Sequence, residues 1–195
     1  MSDKVQVLRD VYATLAELWS SPQDVDQEEI SRLTGEALAR WESMDEVGPT
    51  CLSRFLQNPV TETEYVDLFE LDPRCPPYLG SHTFDEPQTC AGAALSDRNG
   101  YMLELLGIYK HFGMTPNGKE LADYLPLMVE FLALSAESED PIRDKLIREY
   151  ILPYLPPMRS KLEELKTPYF YLLDALERAL KLDLEIGTRE AINHG

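Results

Sequence analysis

Apolar residues recur at three- and four-residue steps along almost the whole 195-residue chain, a period that admits little besides helices packed on helices. Val5, Leu8, Val11, Tyr12, Leu15, Leu18 and Trp19 make the first stripe, with Pro22 just past its end. A more polar helix is predicted from about Gln27 to Trp41, carrying Ile30, Leu33, Ala37, Leu38 and Trp41 on one face. Gly48-Pro49 reads as a break, followed by a short helix with Leu52, Phe55 and Leu56 that ends at Asn58-Pro59. Thr61 and Glu64 have capping-box spacing and open a helix with Tyr65, Leu68 and Phe69 behind them.

The period fails once, between Leu71 and Leu95, where Pro73, Pro76, Pro77 and Pro87 alternate with Gly80 and Gly92. An irregular connection that long inside one domain is functional, disordered, or a misread element. Helical pattern resumes at Asp97, with Met102, Leu105, Leu106, Tyr109 and Phe112 as its stripe and Gly113 as a C′ stop. Asn117 and Glu120 read as the next helix start, leading into Leu121, Leu125, Met128, Phe131 and Leu132. Asp140-Pro141 and Thr167-Pro168 are cap-plus-proline starts, and Pro153, Pro156 and Pro157 must bend or end the helix between them. The last helix is predicted from Tyr169 to about Ile186, ending at Gly187, with residues 187–195 a loose tail. The expected fold is a single all-α domain over residues 1–186, about seven or eight helices with one long irregular loop at about 71–95.

Charge narrows the partners. There are 18 lysines and arginines against 35 aspartates and glutamates, a formal charge of −17. Such a surface repels phosphate backbones and anionic headgroups, which argues against nucleic acid and against stable membrane association. No run approaches the roughly 18 apolar residues that span a bilayer. Asp3, Arg9, Asp10 and Glu17 interrupt the first stripe, unlike a signal peptide, and Cys51, Cys75 and Cys90 form no disulfide framework. A cytoplasmic location is expected.

Motifs for chemistry are scarce. The chain has no GxGxxG, no GxxxxGK[ST], no HExxH and no G-x-S-x-G, and its histidines are scattered at His82, His111 and His194. No catalysis and no cofactor are called for. Cys75, His82 and Cys90, with Asp85 or Glu86, are zinc-donor types, but without a tight cysteine pair they read as ordinary loop residues. Glu62, Glu64, Asp67, Glu70 and Asp72 are either a solvated face or a negative rim beside Tyr65 and Phe69, suited to an arginine-bearing peptide. Tyr101, Tyr109, Phe112 and Tyr124 have core spacing, yet tyrosines also suit a groove wall that is apolar and still hydrogen-bonds. Recognition of a peptide or helix by a helical groove is the better-supported class.

The centre of the chain carries a family pattern. The run YVDLFEL (Tyr65 to Leu71), then SDRNGYMLELLGIYKHFGM, then KELADYLPLMVEFLALSA resembles the TorD/NarJ-type redox-enzyme maturation chaperones, and within them the nitrate reductase molybdenum cofactor assembly branch. The matching positions are Tyr65, Leu68 and Phe69; Asp97 and Arg98; and Glu120, Leu121, Asp123, Leu125 and Pro126, with Glu130 one turn on. Tyr124 departs from the pattern, since many relatives have histidine there. The resemblance implies a non-enzymatic chaperone; a monomer or weak dimer is expected. It would bind the apo catalytic subunit of a DMSO reductase-family molybdoenzyme, often through a twin-arginine leader or its remnant, until the cofactor is inserted. On it, the candidate peptide-binding residues are Tyr65, Phe69, Asp97, Arg98, Tyr101, Asp123, Pro126 and Glu130. Asp123 and Glu130 would supply charge, the aromatics an apolar wall, and Pro126 a bend or a freed carbonyl four residues back. The plainer readings are a helix cap and surface ion pair for Asp97 and Arg98 and a local kink for Pro126. The rival functions are a general acidic helical adaptor for an unrelated protein, and a metal protein or enzyme using the Cys75–His82–Cys90 loop.

Overall fold

The first apolar stripe becomes the axis around which the other elements gather. In the computed structural model, which describes residues 3–23, 25–84 and 96–193, the α-helices are α1 (Asp3–Leu18), α2 (Gln27–Trp41), α3 (Val47–Leu56), α4 (Glu62–Phe69), α5 (Asp97–His111), α6 (Leu125–Leu134), the short α7 (Pro141–Lys145), α8 (Leu155–Glu164) and α9 (Tyr169–Asn193). Among the described residues there is no strand, and the one extended pairing is an isolated antiparallel bridge between Tyr78 and Tyr124. The all-α single domain read from the periodicity is therefore the fold. Helix α1 buries Val7, Leu8, Val11, Tyr12 and Leu15 and packs against α2, α6 and α9, while α9 also lies along α3 and α8.

Two interior clusters hold these layers together. Trp19, Phe69 and Tyr169 meet at centroid distances of 5.8, 5.1 and 4.8 Å, with Tyr65 and Phe55 against the same rings. Each such ring removes on the order of 150–250 Å² from water. The second cluster is ionic. Arg143, 3% exposed, donates to both oxygens of Asp183 at 3.0 and 2.7 Å, and the Tyr12 hydroxyl donates to the same carboxylate at 2.9 Å. The bidentate pair thus locks α7 to α9, and the Tyr12 hydroxyl ties α1 to the same carboxylate. Burial, with the Asp183 charge beside it, pushes the Tyr12 phenol well above its ordinary value, so it stays a donor.

Several local expectations hold and several move. Thr61 and Glu64 form the capping box, with Glu64 N donating to Thr61 Oγ1 at 3.3 Å and Thr61 N to Glu64 Oε2 at 2.8 Å. Gly113 (φ 72°) closes α5 in a Schellman turn: its N–H bonds Lys110 O at 3.0 Å and that of Met114 bonds Tyr109 O at 2.9 Å. Gly48-Pro49 does not break the chain but sits in the first turn of α3. Gly48 is needed for packing, since a Cβ there would lie 2.1 Å from the Trp41 ring. The prolines after α7 act as predicted: the helix widens to a π turn over Leu146–Ile151, tightens to 3₁₀ over Leu152–Tyr154 and re-enters α form at Leu155. Helix α9 runs through Gly187 to Asn193 rather than ending at Gly187, because one helical glycine costs only about 1 kcal/mol.

Removing one partner of the Arg143–Asp183 pair strands a buried charge. Asp183→Ala is expected to lower the unfolding free energy by about 3–5 kcal/mol in urea titration, far more than removal of an exposed pair such as Arg9–Glu137.

Candidate functional site

The site begins where the helical period is interrupted. Pro126 occupies the first turn of α6, where its missing N–H costs nothing, and the chain before it turns through Gly118 (φ 77°) instead of continuing a helix. Helix α6 thus starts at Leu125, not near Asn117, and Pro126 neither bends nor kinks it. The carbonyl four residues back, that of Ala122, accepts the Tyr109 hydroxyl at 2.8 Å. The exposed groups of residues 120–125 are taken up by the irregular segment: Leu79 N donates to Asp123 O at 3.0 Å, Leu125 N to Pro77 O at 2.8 Å, and Tyr78 Oη to Glu120 Oε2 at 2.6 Å. Part of the expected loop is therefore ordered, as a turn and a 3₁₀ helix (Leu79–His82) zipped to the entry of α6.

Asp123 is the pin of this arrangement. It is fully buried, and its Oδ2 accepts from Gly80 N at 3.1 Å and from an Arg98 guanidinium nitrogen at 3.4 Å. Its Oδ1 and Arg98 Nε are buried without hydrogen-bond partners. A Cβ on residue 80 would lie 2.7 Å from Asp123 Oδ2 and 3.3 Å from Arg98 Nε, so the close approach requires glycine. Burial pushes His82 below the ordinary imidazole value, and the Arg98 charge adds to this. The neutral ring pairs through Nε2 with Pro76 O at 2.7 Å. Burial also raises the Tyr101 and Tyr109 phenols, with the Asp123 charge as the next cause.

Above this pinned segment lies a groove of about 650 Å³ between α1, α2 and α6. Ala13, Ala16, Ala37, Pro126, Leu127 and Ala133 form its floor and walls. Asp10, Glu17, Glu36, Glu120 and Glu130 stand around it with one cation, Arg40. Arg40 pairs with Asp10 and, at 3.4 Å, with Asp3, and Glu36 pairs with Arg32 at 2.7 Å. Glu17, Glu120 and Glu130 have no ion-pair partner among the described residues.

The predicted residues divide among four places. Pro126 and Glu130 line the groove. Asp123 and Arg98 lie beneath it, as a buried pair and not as a free surface charge. Asp97 and Tyr101 line a separate hollow with Phe84, Tyr150 and Tyr154, where Tyr101 stacks on Tyr154 at 4.4 Å and donates to Tyr150 O at 2.7 Å. The N-cap of α5 is Ser96, not Asp97. Tyr65 and Phe69 face the core, 4% and 6% exposed, so the acidic rim of α4 does not stand beside an open aromatic wall. The Tyr65 hydroxyl reaches Trp19 O at 3.1 Å and the Tyr124 side chain, bracing one end of the groove from behind. The α1 and α2 wall was missed because its alanines and acids read as the polar side of helices whose other side fills the core. Cys75 is buried, its thiol pushed up to about 12. Cys90, Asp85 and Glu86 lie outside the described residues, among which no three metal-donor side chains cluster.

Fold and site define a class: a helical bundle with an open, acid-rimmed apolar groove between α1, α2 and α6. No helix among the described residues is long and apolar enough to cross a membrane. The nitrate reductase delta subunit family model matches residues 33–172, and the chain belongs to that family, the nitrate reductase chaperone branch of the NarJ/TorD type. The chain is 28% identical over 149 residues to the nitrate reductase molybdenum cofactor assembly chaperone NarJ of Escherichia coli (strain K12), covering 72% of this chain and 57% of that protein. It is 38% identical over 91 residues to the probable NarJ of Bacillus subtilis (strain 168), covering 47% of this chain and 46% of the other. The chain thus spans about half the length of the curated relatives it matches.

Gly80→Ala should force Asp123 and Arg98 apart and cost about 1–3 kcal/mol in thermal unfolding, with faster hydrogen exchange at the Leu79 amide. The His82 ring titrates at a lower pH folded than unfolded, so the unfolded chain takes up its proton first. Its stabilisation is full above the ordinary value of 6.5 and is lost as pH falls below it toward the folded value. In His82→Gln the fall in stability between pH 7 and about 5 should be shallower than in the parent, measured by urea midpoints across that window.

Proposed function

We propose that the chain is a cytoplasmic, non-enzymatic maturation chaperone. It holds the apo catalytic subunit of a DMSO reductase-family molybdenum oxidoreductase until the cofactor is inserted, gripping a cationic, helix-prone segment such as a twin-arginine leader or its remnant. The observation that carries this reading is the pairing of an apolar floor with three carboxylates, Glu17, Glu120 and Glu130, that have no cation partner among the described residues, in one groove. An arginine-bearing amphipathic helix complements both: its apolar face leaves water and its cations meet free carboxylates. Membership of the family, and the names of its relatives as nitrate reductase molybdenum cofactor assembly chaperones, support the same client class.

Of the residues inferred from sequence, Pro126 and Glu130 touch the segment in this reading. Asp123 and Arg98 act from beneath by holding the groove wall, and Tyr65 and Phe69 through the core. Asp97 and Tyr101 form a separate hollow, outside the peptide contact. The charge of −17 steers a cationic segment toward the groove and makes association salt-sensitive.

The test joins a pull-down to a titration. Tagged protein should retain one large molybdopterin-type subunit, preferentially cofactor-free; recovery of an unrelated protein instead would favour the adaptor. Glu17→Gln/Glu120→Gln/Glu130→Gln should weaken binding of the client's arginine-bearing segment about tenfold at low salt and flatten its salt dependence. Unchanged affinity in a folded triple variant would remove the groove from the reading.

A further inference from the structure

We infer that the groove is polarised along its length and admits its occupant in one direction, the cationic end against Glu17 and Glu120 and the apolar stretch toward Leu134. The inference rests on the groove being the peptide site. Its basis is the uneven neutralisation of the charges. Helices α1 and α6 run antiparallel: Arg9 bonds Glu137 at 3.1 Å at one end, and at the other Tyr65 joins Trp19 O to the Tyr124 side chain. Arg40, at the end of α2, pairs with Asp3 and Asp10 in the first half of α1, so α2 runs antiparallel to α1 as well.

At the end where α1 begins and α6 finishes, Arg40 pairs with Asp10 and, at 3.4 Å, with Asp3, and Ala133 and the 62%-exposed Leu134 add apolar surface to the mouth. At the opposite end Glu17 and Glu120 face the groove without a cation among the described residues, alongside Ser20, Asn117 and Tyr124. Tyr78 holds Glu120 there, donating to Oε2 at 2.6 Å and leaving Oε1 for a guanidinium. Glu36 adds no bias, being paired with Arg32, and Glu130 stands between the ends on α6. Along α1 the groove runs from Asp10 to Ser20, roughly 15 Å, the length of about three helical turns. A helix with arginines at its N-terminus therefore lies parallel to α6 and antiparallel to α1. Reversed, its arginines would meet Arg40, and its apolar turns would desolvate Glu17 and Glu120 without repayment.

The test uses two synthetic helix-forming peptides, each an Arg-Arg pair followed by three turns of leucine and alanine. One carries a benzophenone residue beside the arginines, the other at the far end. After photolysis of the full chain, the first should label the stretches holding Glu17 to Ser20 and Asn117 to Tyr124. The second should label those holding Arg40 and Ala133 to Leu134. Glu17→Lys/Glu120→Lys should lower affinity at least tenfold and abolish the first labelling pattern, whereas Leu134→Ser should reduce labelling by the second probe. Binding with the two patterns exchanged or indistinguishable would overturn the orientation and leave the groove assignment standing. Absence of binding by either peptide to the folded parent would overturn both.

Discussion

A single buried carboxylate organises the part of this protein that differs from a plain helical bundle. Asp123 cannot face water, and it reconciles two segments without regular structure by accepting the Gly80 amide and the Arg98 guanidinium on one oxygen. A buried charge of this kind is costly unless paired, so every element supplying a partner is drawn to it: the 3₁₀ turn at Leu79–His82, the start of α5 and the entry to α6. The main-chain bonds between Pro77, Leu79, Asp123 and Leu125 follow the same line and give the irregular segment the order its composition withholds.

That anchorage has a consequence on the other side of the same residues. Once Asp123 turns inward, Glu120, Tyr124 and Pro126 are presented along one wall of the α1–α2–α6 groove, and Tyr78 reaches round to hold Glu120. Asp123 and Arg98 thus shape the groove wall from beneath without lining the groove. The Tyr12–Arg143–Asp183 lock does comparable work for the frame, holding α1 against α7 and α9 so that the opposite wall keeps its position.

Much of the fold was legible residue by residue. The capping box at Thr61 and Glu64, the Schellman stop at Gly113, the Asp140-Pro141 start and the disturbance before Pro156 depend on backbone valence within a few positions, so local sequence is enough. The errors share one cause. Gly48-Pro49, Gly187 and the stretch from Asn117 to Tyr124 were judged by propensity, whereas packing against Trp41, the length of α9 and the pull of Asp123 decided them. Of the candidate site residues, Pro126 and Glu130 line the groove, while Tyr65 and Phe69 carry the same family pattern from inside the core.

The sequence by itself determined an acidic, all-helical chain with one irregular interruption and a family pattern across its centre, because period, charge and turn chemistry are properties of neighbours in the chain. Only the tertiary structure decided which acids are ion-paired across helices. Asp10 looks no different in sequence from Glu17 and Glu120, yet Arg40 reaches it from another helix, while Glu17 and Glu120 line the groove without an ion-pair partner among the described residues. Ion pairing across helices is set by how α1, α2 and α6 pack, which no local pattern encodes.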